Sequence, residues 1–408
     1  MIQKTMLFIA ALILCGSCDW IDNEDPVFEY NKKSAEVIST NNDFGLELFG
    51  EVIANEEKAN VMISPASVSL AMGMAYNGAE TTTMEAFDSV FNYEGLTRAE
   101  VNEITRDLIN TLITDSRNNL LDIANSVWVH SGFPVYESYL EMNRTYFNAE
   151  VSERDLQDPE TIDIINDWVA DKTHDKITEI ITELSPAARM VLINALYFNC
   201  MWQTEFDPDE TAEEPFYNED GTEFGQVEMM TTEATFKVAS LEGLQAVELP
   251  YKDDKFSMHL FLPAPGSTVD ELIGDLNGET WDEWMSAYTE TDEVQVTMPK
   301  FKFEYDRSLV DDLKEMGLGV AFTDMADFSG ISEIPLLISE VIHKTYIDVN
   351  EEGTEAAAVT AVVFDLTSVG PSGPLVLRFD RPFLFAITEN SSNSIVFIGK
   401  VSEPGYEE

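Results

Sequence analysis

Few side chains in this sequence are arranged for acid–base, nucleophilic or metal chemistry. The 408 residues hold four histidines and three cysteines. There is no G-x-S-x-G elbow, no H-E-x-x-H pair and no glycine-rich phosphate loop behind a strand. Cys15 and Cys18 have the C-x-x-C spacing, but they end an apolar leader and have no second pair to complete a zinc site. Asp207-Pro208-Asp209-Glu210 and Asn218-Glu219-Asp220-Gly221 could offer oxygens to calcium. Neither has the ligand spacing of a calcium loop, so both read as solvated turns. The chain is therefore not expected to be an enzyme or to hold a metal or a cofactor.

Mechanical work is the better reading of Glu351-Glu352-Gly353-Thr354-Glu355-Ala356-Ala357-Ala358-Val359-Thr360-Ala361-Val362. An acidic pair, a glycine and a run of small residues suit a segment that passes from solvent into an existing sheet. Successive strand residues point to opposite faces, so Ala356 and Ala358 would face one side and Ala357 and Val359 the other. A surface helix is the competing reading, because Glu and Ala are good helix formers.

Such a segment needs a large sheet and a rigid body around it. The chain is 44% hydrophobic, and no linker, low-complexity tract or repeat interrupts residues 40–405, which favours a single α+β domain. The first half is rich in helix. Phe44, Leu48 and Val52 with Leu46, Phe49 and Ile53 recur at helical spacing behind Asn41 and Asn42 as capping candidates. Ser64-Pro65 has the form of an N-cap with proline in the first turn, and Gly78 closes that helix. Ile164, Ile165, Trp168 and Val169 mark another amphipathic helix. Strands follow in the second half, at 246–250, 257–263 and 293–299, each alternating between turn signals.

Three further motifs join the hinge-like segment. They are Leu377-Arg378-Phe379-Asp380-Arg381-Pro382-Phe383-Leu384-Phe385-Ala386-Ile387, Asn60-Val61-Met62-Ile63-Ser64-Pro65-Ala66-Ser67, and Leu192-Ile193-Asn194-Ala195-Leu196-Tyr197-Phe198 with Trp202 and Phe206-Asp207-Pro208. In order and spacing the four motifs resemble the serpin family over residues 39–404. The resemblance implies a serpin fold: one large domain with three β-sheets, about eight or nine helices and a mobile reactive-centre loop over about residues 351–374. It implies a suicide-type inhibitor that traps proteases as acyl-enzymes when the cut loop enters the main sheet.

Residue roles follow from the same resemblance. Glu351, Glu352, Gly353, Thr354, Glu355, Ala356, Ala357, Ala358, Val359 and Thr360 form the hinge, with Gly353 as pivot and Thr354 the first side chain to enter the sheet. Trp202, Lys300 and Glu351 correspond to the breach at the top of the sheet, where Lys300 and Glu351 pair. Ser64, Asn194 and His343 correspond to the polar shutter through which the central strands part, so His343 is read as a hydrogen-bonding residue rather than a catalytic base. Counting from Gly353 puts the reactive bond between Thr367 and Ser368. The segment 369–374 is long for the family, which leaves a shift of one or two residues open. Leu366 suits papain-like cysteine proteases and Thr367 suits elastase-like serine proteases, whereas the lack of Lys or Arg between Gly353 and Arg378 disfavours trypsin-like targets. A non-inhibitory serpin acting as a surface binding or carrier protein is the alternative, although such members usually have charged, bulky or proline residues in the hinge.

Lys4 precedes an apolar run over residues 6–14, too short to stay in a bilayer as a spanning helix. Gly16 and Ser17 before Cys18 resemble a bacterial lipoprotein processing site. Residues 1–18 are therefore expected to be a signal peptide, Cys18 the lipidated residue, and 19–38 an acidic tether before the serpin domain. Cys15 stands where such sites usually have Leu, so ordinary signal cleavage, or cleavage before Cys15, remains open. The expected location is the cell envelope, with the membrane met through the N-terminal lipid alone and display on the outer surface compatible with the acidic tether. Cys200 would then be left without a disulfide partner, as a buried thiol. The net charge of -53 repels phosphate backbones, so no nucleic acid partner is expected. Residues 103–110, which align with the basic helix of heparin-activated serpins, have no basic cluster, so no heparin-type activator is expected either. The expected partners are target proteases, met by a monomer.

Overall fold

The computed structural model describes residues 32–93, 95–355 and 374–406. Nine α-helices occur among them: α1 (Lys32–Ala54), α2 (Pro65–Tyr76), α3 (Thr81–Val90), α4 (Arg98–Leu112), α5 (Glu137–Phe147), α6 (Glu160–Lys172), α7 (Val269–Gly274), α8 (Gly278–Ser286) and α9 (Val310–Leu313). The first eight strands are β1 (Val61–Ile63), β2 (Thr114–Asp115), β3 (Asn119–His130), β4 (Glu150–Arg154), β5 (Met190–Met201), β6 (Ala212–Tyr217), β7 (Glu223–Leu241) and β8 (Leu244–Pro250). The others are β9 (Phe256–Pro263), β10 (Thr289–Pro299), β11 (Phe301–Ser308), β12 (Ile342–Val349), β13 (Gly353–Thr354), β14 (Leu375–Arg378), β15 (Phe383–Glu389) and β16 (Ser394–Val401).

Helix α1 starts at Lys32, so residues 32–38, expected in the tether, belong to the folded body, with Val37 and Ile38 buried. Asn41 and Asn42 are not caps but mid-helix residues. Their polar groups are satisfied tertiarily: Tyr93 donates to Asn41, and Asn42 brackets the β15–β16 turn through the Asn393 carbonyl and the Ile395 amide. That demand overrides their preference for helix ends. Helix α2 follows the sequence reading. Ser64 is its N-cap and accepts from the Ser67 amide at 3.1 Å, and Pro65 takes the first turn. Gly78 lies just beyond, where a Cβ would come within 2.0 Å of Ile331.

Hydrogen bonding groups the strands into two sheets. The nine-stranded sheet runs β1-β16-β15-β9-β8-β7-β10-β14, with β6 on β7. Strand β7 is 19 residues long and pairs with β6 and β8 on one edge and β10 on the other. In place of the three expected sheets there are two, the nine-stranded one being continuous through β7. The seven-stranded sheet runs β11-β12-β13-β5-β3-β2, with β4 beside β3. One face packs on the nine-stranded sheet, where Phe198 of β5 meets Tyr251, Phe256 and Phe397 edge-on. The opposite face carries α6, whose Ile165 and Val169 join Trp128, Ile193 and Ala195 in a separate apolar cluster.

Candidate functional site

The seven-stranded sheet has a slot at its centre. Among the described residues β5 and β12 share no ladder, and the two-residue strand β13 lies between them. Gly353 pairs with Met201 and Thr354 with Cys200 on one side, while Thr354 pairs with Val349 on the other, all antiparallel. Only glycine fits the first of these positions, because a Cβ on Gly353 would lie 2.2 Å from the Cys200 carbonyl oxygen. Thr354 is 3% exposed, and its Oγ1 is 2.6 Å from the Tyr251 hydroxyl. Thr354, expected to be the first side chain to enter after cleavage, is already inside the sheet.

A polar and aromatic frame holds the entrance. The Asn350 side chain receives the Glu352 and Gly353 amides, which tightens the turn from β12 into β13. Trp202 stacks on Tyr251 with centroids 4.5 Å apart, and its Nε1 donates to the Asn350 carbonyl at 2.9 Å. The Trp202 and Phe206 amides donate to the Glu352 and Glu351 carbonyls. Lys300 Nζ lies 3.4 Å from the Glu351 carboxylate and 3.6 Å from that of Glu228, and Thr211 donates to Glu351 at 2.8 Å. Trp202, Lys300 and Glu351 thus converge as their motif positions imply. Burial raises the Glu355 carboxyl above its ordinary range, while hydrogen bonds from Lys176 and Tyr197 pull it the other way.

Deeper in the slot, the polar residues on β5 and β12 bond to α2 rather than to each other. The Ser64 amide donates to His343 Nε2 at 3.0 Å, and Ser64 Oγ donates to the Val396 carbonyl at 2.7 Å. Asn194 accepts from the Ser67 hydroxyl and donates to Asn125 at 2.8 Å, and Asn125 donates to the Phe147 carbonyl. Ser64 and His343 therefore meet directly, whereas Asn194 joins them through Ser67. Desolvation holds the His343 pKa down at about 4, so the ring is neutral and can accept. Burial also pushes the Cys200 thiol well up, which leaves it protonated and unsuited to nucleophilic work.

A family model described as serpin (serine protease inhibitor) matches residues 39–404. The chain belongs to the serpin family. An uncharacterised serpin-like protein of Methanosarcina acetivorans is 35% identical over 99% of this chain and 97% of its own length. The thermophilic serpin tengpin in its native state superposes with a TM-score of 0.83 at 32% identity, covering 92% of this chain and 95% of that one. A thyroxine-binding globulin complexed with thyroxine superposes with a TM-score of 0.80 at 26% identity, covering 91% of this chain and all of the other.

Within this serpin, Ala356, Ala357, Ala358, Val359, Thr360, Thr367, Ser368 and Cys18 lie outside the described residues. No helix among the described residues is long and apolar enough to cross a membrane. Sequence reasoning missed Tyr251, Ser67, Asn125 and Thr211. Ser67 alone had a local signal, being three residues beyond the N-cap Ser64; Asn125 reaches the site from β3, Tyr251 from just beyond β8 and Thr211 from the turn before β6.

The buried histidines give the serpin an acid limit. His259, packed against Tyr288 and Thr388, is also held at about 4. Both rings have folded pKa values below the ordinary 6.5. Their neutral-state stability is therefore complete above pH 6.5 and is lost as pH falls towards 4, by about 1.4 kcal/mol per pH unit for each ring. Melting temperature should fall across that window in the wild type and fall less steeply in His343→Gln. Parallel curves for the two proteins would show that His343 does not titrate with unfolding.

Proposed function

We propose that this serpin is an inhibitor that traps target proteases as covalent acyl-enzymes by driving the chain beyond Thr354 into the slot between β5 and β12. The observation that carries this reading is the strand Gly353–Thr354, seated between those strands in a register that the rest of the hinge can continue. Extending it sets Ala356 and Ala358 against Phe198 and Leu196 on the core face. It sets Ala357 and Val359 against Tyr197 and Ala195 beneath α6. Thr360 then lies opposite both Asn194 and His343, where its hydroxyl can replace partners lost as the strands part.

The chemistry belongs to the protease. Its serine or cysteine attacks the Thr367 carbonyl, the bond to Ser368 breaks, and the Ser368 amine leaves with the protease's proton. Thr367 is then held as an ester or thioester. Insertion of about 14 residues at about 3.3 Å each carries the tethered protease roughly 45 Å and pulls its oxyanion hole out of register, so hydrolysis of that ester stalls. Elastase-like serine proteases and papain-like cysteine proteases are the targets best matched by Leu366 and Thr367.

The likeness to thyroxine-binding globulin favours a carrier as the second reading. Incubation with a protease panel followed by denaturing electrophoresis separates the two. An inhibitor leaves a band at the summed mass of both proteins, and its loop-cut form melts well above the intact chain, whereas a carrier is only clipped. Clipping without a covalent band and without a rise in melting temperature overturns the inhibitor reading.

A further inference from the structure

Glu355 is the one charged side chain between Thr354 and Phe364, and the proposed insertion makes it the next residue of the strand. Its amide already donates to the Asp348 carbonyl at 2.6 Å. Continuing the register through Thr354 places Glu355 opposite Asp348 on β12 and Asn199 on β5. Side chains alternate between the faces of a strand. Thr354 points into the core, so Glu355 shares the other face with Asp348, Asn199, Tyr197 and Tyr346. Like charges directly opposite one another weaken a sheet, and here both are largely out of water, the Glu355 side chain being 9% exposed and that of Asp348 12%. Unanswered, a carboxylate at this position would oppose insertion.

The segment 173–177, which follows α6 across that face, supplies the answering charge. Lys176 Nζ reaches the Glu355 carboxylate at 2.7 Å and lies 5.3 Å over the Tyr346 ring. Lys302 lies 3.7 Å from Asp348, so each carboxylate has its own ammonium. Tyr197 donates to Glu355 at 3.1 Å and receives the Asn199 side-chain amide at 3.2 Å. The segment is itself fixed: the Thr173 hydroxyl donates to the Val169 carbonyl and receives the Ile177 amide, and His174 packs on Tyr197 with centroids 4.4 Å apart. Immediately above Glu355, β13 already stands between β5 and β12. The parting that insertion still requires lies further down the slot, so the strand can extend with Lys176 in place.

We propose that Lys176 is a positioning residue that seats Glu355 in the sheet both before and after insertion, neutralising the charge that would otherwise oppose the growing strand. The proposal rests on the insertion reading given above and adds what lets an acidic hinge residue enter. Full-length wild type, Lys176→Ala, Lys176→Arg, Glu355→Gln and the Lys176→Ala/Glu355→Gln pair are compared in two ways. The first is the ratio of covalent to clipped product formed with elastase. The second is the melting temperature of each protein, intact and after its loop is cut.

Lys176→Ala should lower the ratio of covalent to clipped product by about fivefold, the effect of one modest ion pair, and should lower the melting temperature of the intact and cut forms alike. Lys176→Arg should recover most of both losses. With Gln at position 355, removing Lys176 should leave the ratio within about twofold, because the coupling is between these two side chains. An unchanged ratio in Lys176→Ala, an arginine variant no better than alanine, the same loss with Gln as with Glu at 355, or a melting effect confined to the intact protein would each overturn the seat alone. A wild type that forms no covalent band and gains no thermal stability when cut would overturn the insertion reading and this proposal with it.

Discussion

Thr354→Arg should turn the protein from a trap into a substrate. Thr354 is packed in the sheet with its hydroxyl on Tyr251, and a guanidinium there would be buried without a partner, at a cost of several kcal/mol. The variant can avoid that cost by expelling Gly353 and Thr354 from between β5 and β12, which leaves the remaining core intact. After cleavage the same charge bars insertion, so the acyl-enzyme hydrolyses. On denaturing gels the covalent band should fall by more than about tenfold, as a barrier change above about 1.4 kcal/mol requires, while the clipped band grows. The cut variant should gain no thermal stability. Stoichiometric trapping by Thr354→Arg would mean that the hinge register is misassigned.

Glu351→Lys should have the second large effect. It replaces an attraction at the entrance with two ammonium groups close together, since Lys300 Nζ lies 3.4 Å from the Glu351 carboxylate and both side chains are 12% exposed. It also removes the acceptor for Thr211. Breaking a largely buried pair costs about 3 kcal/mol, enough to lower the melting temperature by several degrees. An entrance loosened in this way can admit the loop of a second molecule, so mild heating should produce ladders of oligomers on native gels. Adding Lys300→Glu should restore monomer only in part, because the new carboxylate faces Glu228, which lies 3.6 Å from Lys300. Undiminished monomer in Glu351→Lys after heating would show that the pair does not hold the sheet closed.

The parts of this site that were legible in the sequence are those with a local cause. Gly353 and the small residues after it suit a strand entering a sheet, Ser64-Pro65 caps a helix, and the aromatic run at 377–387 fills buried strand positions. These features identified the family and placed Trp202, Lys300 and Glu351 together. Contacts made through tertiary packing alone were hidden. Tyr251 looks like any strand-end tyrosine until Trp202 stacks on it, and Lys176 looks like a surface lysine after a helix until Glu355 is seen beneath it. The start of α1 was hidden for the opposite reason. Asn41 and Asn42 argue for a helix boundary, yet their side chains find partners in Tyr93 and the β15–β16 turn, so the helix continues through them.

The tight fit of Gly353 against the Cys200 carbonyl has a kinetic meaning. A strand joining a sheet ordinarily has to search for its alignment, and a slip of one position would turn every side chain to the wrong face. Here that search is finished before any protease arrives, because the first two rungs are formed and no larger residue could take the place of the glycine. For a trap of the proposed kind, what would remain after the cut is zippering from a fixed first tooth, without the nucleation delay that would otherwise give water time to free the enzyme.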